Sequence, residues 1–162
     1  MLNILEWLER TPAGVLARES LWGFPILVGI HILGLTLSAG VVVWFDLRLL
    51  GVSMPGERVS RVYRQLMPWA LVGFAIMFTT GGLLLAGFAT RAYVNVYFRI
   101  KIAALLLAGV NALVYHRVTE RRRAAWDSEA RLPLAARTAG LVSIALWATV
   151  IMAGRMMAYT MY

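Results

Sequence analysis

The residues able to do chemistry in this chain are few, and apolar sequence surrounds them. They are His31, Asp46, Thr79, Thr80, Asn111, His116 and Arg155, with Lys101 at the edge of an apolar segment. In a membrane helix, buried polar and ionisable groups are the functional candidates by default. A neutral imidazole binds iron or another metal, and cations at a membrane edge stabilise carboxylates.

At about 1.5 Å per helical residue, His31 lies roughly 15 Å below the outer surface, near the midplane of its span. Lys101 lies about one turn into its span, Arg155 about one to two turns from an outer end, and Thr80 about eight residues from one. These four converge on the outer half of a bundle, while His116 and Asp46 fall at the inner end. The expected binding set is His31, Lys101, Arg155, Arg99 and Thr80, with His31 as the candidate metal ligand. No cofactor is fixed by these residues. One that they could hold is a b-type haem, with His31 axial and Arg99, Lys101 or Arg155 on the propionates. A bis-histidine site is disfavoured: the depths of His31 and His116 differ by roughly 12 Å, whereas two axial ligands stand about 4 Å apart. A five-coordinate iron, or a second ligand from methionine or Lys101, stays open.

Each residue also has a plainer reading. His31 could bond a carbonyl or Ser38, and Lys101 and Arg155 could snorkel to headgroups. His116 would be interfacial, and Asp46 would pair with Arg48 or loop arginines. Met152, Met156, Met157 and Met161 crowd the end of the last span. Thioethers bind Cu(I), yet two separate stripes of methionine read as apolar filler. No phosphate loop, Ser-His-Asp set or HExxH motif occurs, so an ordinary hydrolase is unsupported.

The elements that must position these groups are helices. Leu21–Phe45 and Leu66–Thr90 hold no acid, Arg or Lys, and Ile102–Tyr115 and Thr138–Gly154 are shorter uncharged runs. A spanning helix needs roughly 20 residues, so the last two pass only with their basic flanks snorkelling. Spans are expected near 22–48, 67–89, 98–118 and 138–160, in one integral membrane domain covering 1–162. The fold class is all-α: a four-helix transmembrane bundle with an N-terminal interfacial amphipathic helix. In residues 1–20, Leu2, Leu5 and Leu8 share a helical face, with Glu6, Glu9 and Arg10 leaning away. Thr11-Pro12 reads as an N-cap followed by the first position of a second short helix. Residues Gly51–Gln65 form a loop with the turn Met54-Pro55-Gly56.

At 100° per residue, His31 shares a stripe with Leu27, Gly34, Ser38, Val42 and Phe45. Lys101 shares one with Ala104, Ala108 and Ala112, a small-xxx-small run that permits close helix approach. Gly73, Met77, Thr80, Leu84 and Gly87 align on the second span. Gly140, Ser143, Trp147, Gly154 and Ala158 align on the fourth, with Arg155 on the flank.

Composition agrees. The chain is 60% hydrophobic and 15% charged, unlike a soluble domain with about 25% charged residues. It contains no cysteine, which removes disulfides and thiolate metal sites. The net charge of +8 reads as arginines gathered in membrane loops rather than a nucleic-acid surface. Ten of the sixteen basic residues fall on the side of the two loops following the first and third spans. The positive-inside rule puts those loops in the cytoplasm and both termini outward.

Several segments are also similar to a known family. They are Arg18-Glu19-Ser20-Leu21-Trp22 with Phe24-Pro25, His31-Ile32-Leu33-Gly34-Leu35, and Asp46-Leu47-Arg48-Leu49-Leu50-Gly51. Pro68-Trp69 with Gly73-Phe74, Phe98-Arg99-Ile100-Lys101 and Asn111-Ala112-Leu113-Val114-Tyr115-His116 complete the set. Together they resemble a family of small bacterial integral membrane proteins defined only as a domain of unknown function. That resemblance implies the bacterial cytoplasmic membrane. The family often has an acid two residues before the first-span histidine, where this chain has Gly29. The layout is more distantly similar to copper-resistance D-type and haem-associated protoporphyrinogen oxidase-type membrane proteins.

The expected function is a ligand-binding or redox subunit using the outer-half pocket around His31. The alternatives are a haem-linked membrane oxidoreductase, a transporter for a small solute or Cu(I), and a structural accessory subunit. The expected partners are the lipid bilayer and either a second copy or another membrane subunit, with no nucleic acid.

Overall fold

A computed structural model describes residues 2–120 and 132–160. Seven helices occur among them: α1 (Leu2–Glu9), α2 (Pro12–Glu19), α3 (Gly23–Leu49), α4 (Val59–Gly87), α5 (Ala89–Val94), α6 (Val96–Glu120) and α7 (Leu134–Thr160). Four of them, α3, α4, α6 and α7, are long and apolar enough to cross a membrane. Large apolar side chains such as Leu33, Val72 and Leu106 are exposed on their outer faces. Helices satisfy their own backbone groups, so such a surface is stable in lipid. The protein is an all-α transmembrane bundle.

α3 and α7 pack together centrally, α4 lies against α3, and α6 lies against α7. Ala39, Met77, Ala104, Trp147 and Val150 meet in one core drawn from all four helices. The stripes expected from helical periodicity face this interior: Gly34, Ser38 and Phe45 on α3, Gly73, Met77 and Thr80 on α4, and Gly140, Ser143 and Trp147 on α7 are buried. On α6 the buried stripe ends early. Ala104 and Ala108 are buried, but Ala112 is exposed.

α3 and α4 approach closely at two glycines. A Cβ on Gly73 would lie 2.5 Å from the Ser38 nitrogen and 2.9 Å from the Gly34 oxygen. Both positions must lack side chains for the backbones to meet, as in other small-residue helix seams.

The helix carrying the second span begins at Val59, so the loop before it is shorter than the Gly51–Gln65 expected. Val59 and Val62 bury against Phe45 and Leu49, and this tertiary contact extends the helix through Arg61 and Arg64. Pro68 lies inside α4. α5 was not anticipated; Asn95 follows it, and its Oδ1 accepts from the Tyr97 and Phe98 amides to start α6.

At the N-terminus, the Thr11 hydroxyl oxygen accepts from the Gly14 amide and Pro12 opens α2 as expected. Glu9 does not lean away from the protein. Its Oε1 accepts from the Thr90 amide at 2.8 Å and from the Thr90 hydroxyl at 2.6 Å, tying α1 to the start of α5. Burial alone would push the Glu9 carboxyl up. The Thr90 bonds and the charges of Arg18 and Arg91 outweigh that and hold it below its ordinary value of 4.5.

Candidate functional site

The Gly34–Gly73 contact sets what lies outward of it. One turn from Gly34 on the same stripe is His31, and two turns beyond Gly73 is Thr80. The two meet across the seam, with His31 Nδ1 3.0 Å from Thr80 Oγ1. The Thr80 hydroxyl has one proton. Its best acceptor is the Ile76 carbonyl at 2.7 Å, with Met77 at 3.3 Å. The hydroxyl therefore donates along its own helix and accepts from the imidazole. This network assigns the proton to Nδ1 and leaves Nε2 with an unprotonated lone pair.

Gly81 makes the ring's position available. A Cβ there would lie 3.1 Å from the His31 Cε1 and 3.5 Å from Nδ1. Neighbouring Gly82 has open space instead.

Lys101 approaches from α6. Its side chain lies over Gly154 of α7, with Nζ 3.7 Å and Cδ and Cε 3.9 Å from the place a Cβ would take. The ammonium makes no hydrogen bond or ion pair among the described residues.

Of the five residues expected to form the binding set, the structure brings His31 and Thr80 into contact, while Lys101 lies over Gly154. Arg155 and Arg99 are elsewhere. Arg155 is exposed, its guanidinium 5.5 Å from the Tyr159 ring centroid and bonded to that hydroxyl at 3.3 Å. Arg99 is exposed as well and folds back on Tyr93, over its ring and onto its carbonyl. Each arginine has an aromatic ring in its own segment, and that local contact keeps it from the site.

The opposite end of the bundle holds a second polar group. Asp46 is 4% exposed, lies beside Ser143 of α7, and has an Oδ2 with no hydrogen-bond partner. The expected pairing with Arg48 does not occur. Two residues apart on a helix point to nearly opposite sides, so Asp46 enters the α3–α7 interface while Arg48 donates to the Glu57 carbonyl in the loop. His116 stacks on Tyr63, with Nδ1 3.4 Å from the phenolic oxygen. It is thus committed far from His31. Asn111 ties α6 to α7 by donating to the Ala139 carbonyl at 3.0 Å. Among the described residues, no three His, Cys, Asp or Glu side chains gather as a metal-ligand set.

Sequence reasoning missed Gly81 and the Thr80 partnership of His31. The run Thr79-Thr80-Gly81-Gly82 was the available signal, small and polar residues interrupting an apolar span.

A family model described as a family of unknown function, DUF6644, matches residues 4–160. No curated protein and no solved structure matches the chain.

Proposed function

We propose, for a chain that belongs to that family of unknown function, an intramembrane ligand-binding role centred on His31. One observation carries the reading: His31 Nδ1 lies 3.0 Å from Thr80 Oγ1, and because that hydroxyl spends its one proton on the Ile76 carbonyl, Nε2 is left as the acceptor. A histidine held this way through one ring nitrogen is oriented at the other, the arrangement used where imidazoles bind ligands. Gly81 supplies the space in which the ring lies.

The bare Nε2 also supports a second reading, in which His31 would hold a haem through its iron. His116 is no second axial donor, since it is engaged with Tyr63. Lys101 is the remaining cation for a propionate, because Arg99 and Arg155 fold onto their own tyrosines. A haem bound here would supply electron transfer, and the chain would hold and orient it through His31 and Thr80.

The ten basic residues in and flanking the loops after the first and third spans favour an orientation with those loops in the cytoplasm.

The experiment is purification in an uncharged detergent, followed by an absorbance spectrum, metal analysis and mass spectrometry of bound small molecules. Wild type is expected to carry a molecule that His31→Ala loses. A Soret band in wild type alone would select haem. Identical bound content in wild type and His31→Ala would defeat the site.

A further inference from the structure

Asp46 is a carboxyl shut inside the membrane bundle. It is buried, and its Oδ2 has no hydrogen-bond partner among the described residues. α7 closes over it. A Cβ on Gly140 would stand 3.1 Å from the Asp46 carbonyl oxygen, and Ser143, three residues along the same stripe, is buried as well. Phe45 and Leu49 beside it on α3 are buried and apolar. A carboxylate taken out of water without a partner is strongly disfavoured.

Among the described residues, no ion pair reaches this carboxyl. Arg48 on its own helix donates to the Glu57 carbonyl. On α4, Arg58, Arg61 and Arg64 are exposed, and Arg61 pairs with Glu57. Arg137 on α7 is exposed too. On α6, the His116 ring stacks on Tyr63. The rings of Tyr63 and Tyr115 meet Phe45 edge-on, and phenols carry no charge near neutral pH.

The occupant that fits is the smallest one. A side chain or solute from outside has no access to an atom this buried. A hard metal cation takes six or more oxygens, whereas no three His, Cys, Asp or Glu side chains gather among the described residues. A proton needs one oxygen and removes the charge, and a neutral hydroxyl costs far less to bury than an unpaired carboxylate.

We infer that Asp46 is a proton-binding site. The carboxyl holds its proton while α3 and α7 are closed at Gly140. When the two helices part, water enters, the O–H bond breaks and the proton passes to that water, leaving a hydrated carboxylate. Proton binding and the α3–α7 contact therefore favour each other. His31 lies fifteen residues earlier on α3, about 22 Å along its axis, so the two sites stand apart.

The chain has two aspartates, Asp46 and Asp127. ¹³C-aspartate labelling of the full-length protein in lipid nanodiscs thus gives two side-chain carboxyl signals, and Asp127→Asn identifies that of Asp46. It is expected at the protonated position at neutral pH, where an aspartate in water is ionised. Gly140→Val wedges α7 away from the Asp46 backbone and should lower the pH at which the signal moves by about one unit or more. Gly109→Val, which meets open space on α6, should leave it unchanged. The folded protein binds a proton that the unfolded chain has released, so stability should fall as pH rises. Between about pH 6 and 9 the wild-type unfolding midpoint should drop by about 5 °C more than that of Asp46→Asn. A carboxylate signal throughout about pH 5–9 would overturn the proton site. A neutral-pH signal that moves when sodium replaces choline in the buffer would overturn it in favour of a metal cation. Equal ionisation in wild type and Gly140→Val would overturn the coupling to the α3–α7 contact.

Discussion

The His31 imidazole on α3 and the Thr80 hydroxyl on α4 meet with Nδ1 3.0 Å from Oγ1, and that hydroxyl donates in turn to the Ile76 carbonyl. Proton positions along this relay run in one direction because the hydroxyl has a single hydrogen. In ¹⁵N-histidine-labelled protein, His31 is expected in the Nδ1–H tautomer. Thr80→Val removes the acceptor and should abolish that preference while leaving the His116 signals unchanged. A wild-type His31 carrying its proton on Nε2 would refute the assignment.

The ring's location depends on Gly81. A methyl group there would press on Cε1 from 3.1 Å, whereas one on Gly82 meets nothing. Gly81→Ala should shift the His31 signals and reduce any His31-dependent ligand content. Gly82→Ala, one residue away in the same helix, should do neither. The paired variants separate ring displacement from a general effect of alanine on α4.

The α3–α4 seam should be the most substitution-sensitive contact in the bundle. Gly73→Ala drives a methyl into the backbone at Leu37 and Ser38, which cannot swing aside as a flexible side chain would. Overpacking of this kind costs about 1–3 kcal/mol. Gly40 faces open space, and Gly40→Ala should be neutral or stabilising by up to ~1 kcal/mol through helix propensity. Unfolding in mixed micelles would rank the two, and equal stabilities would contradict the close approach.

Glu9 makes the α1–α5 junction sensitive to acid. Its carboxyl is held below 4.5 in the folded protein, so the stability it contributes is present above the unfolded-state value and is lost as pH falls through the lower folded value. Between pH 5 and the acid limit, wild type should lose thermal stability more steeply than Glu9→Gln. Parallel pH profiles would show that the Thr90 contacts contribute no linkage.

Orientation can be read directly, because the chain has no native cysteine. Asn3→Cys and Gly56→Cys place single thiols at exposed positions near the N-terminus and in the loop between α3 and α4. With a membrane-impermeant maleimide on intact spheroplasts, Asn3→Cys should label at once and Gly56→Cys only after lysis. The reverse pattern would invert the orientation derived from the arginine distribution.

Much of this protein is legible in one dimension. Runs of uncharged residues mark four membrane-length helices, since a lipid-exposed backbone must satisfy itself within its own segment. The 100° step then shows which residues share a face, so His31 with Gly34 and Ser38, and Thr80 with Gly73 and Met77, could be aligned from the sequence. Thr11-Pro12 marks the start of α2 because capping is a local event. What the sequence could not determine is who faces whom. Thr80 rather than Ser38 holds His31 because the Gly34–Gly73 contact sets the register between α3 and α4. Lys101 turns inward over Gly154 while Arg99 and Arg155 fold onto nearby tyrosines, a choice settled by the neighbours available at each azimuth. Asp46 and Arg48 part company for the same reason. Periodicity fixes a residue's direction around its own helix axis, but its partner depends on the crossing point, depth and rotation of a second helix, and those are set only when the helices pack.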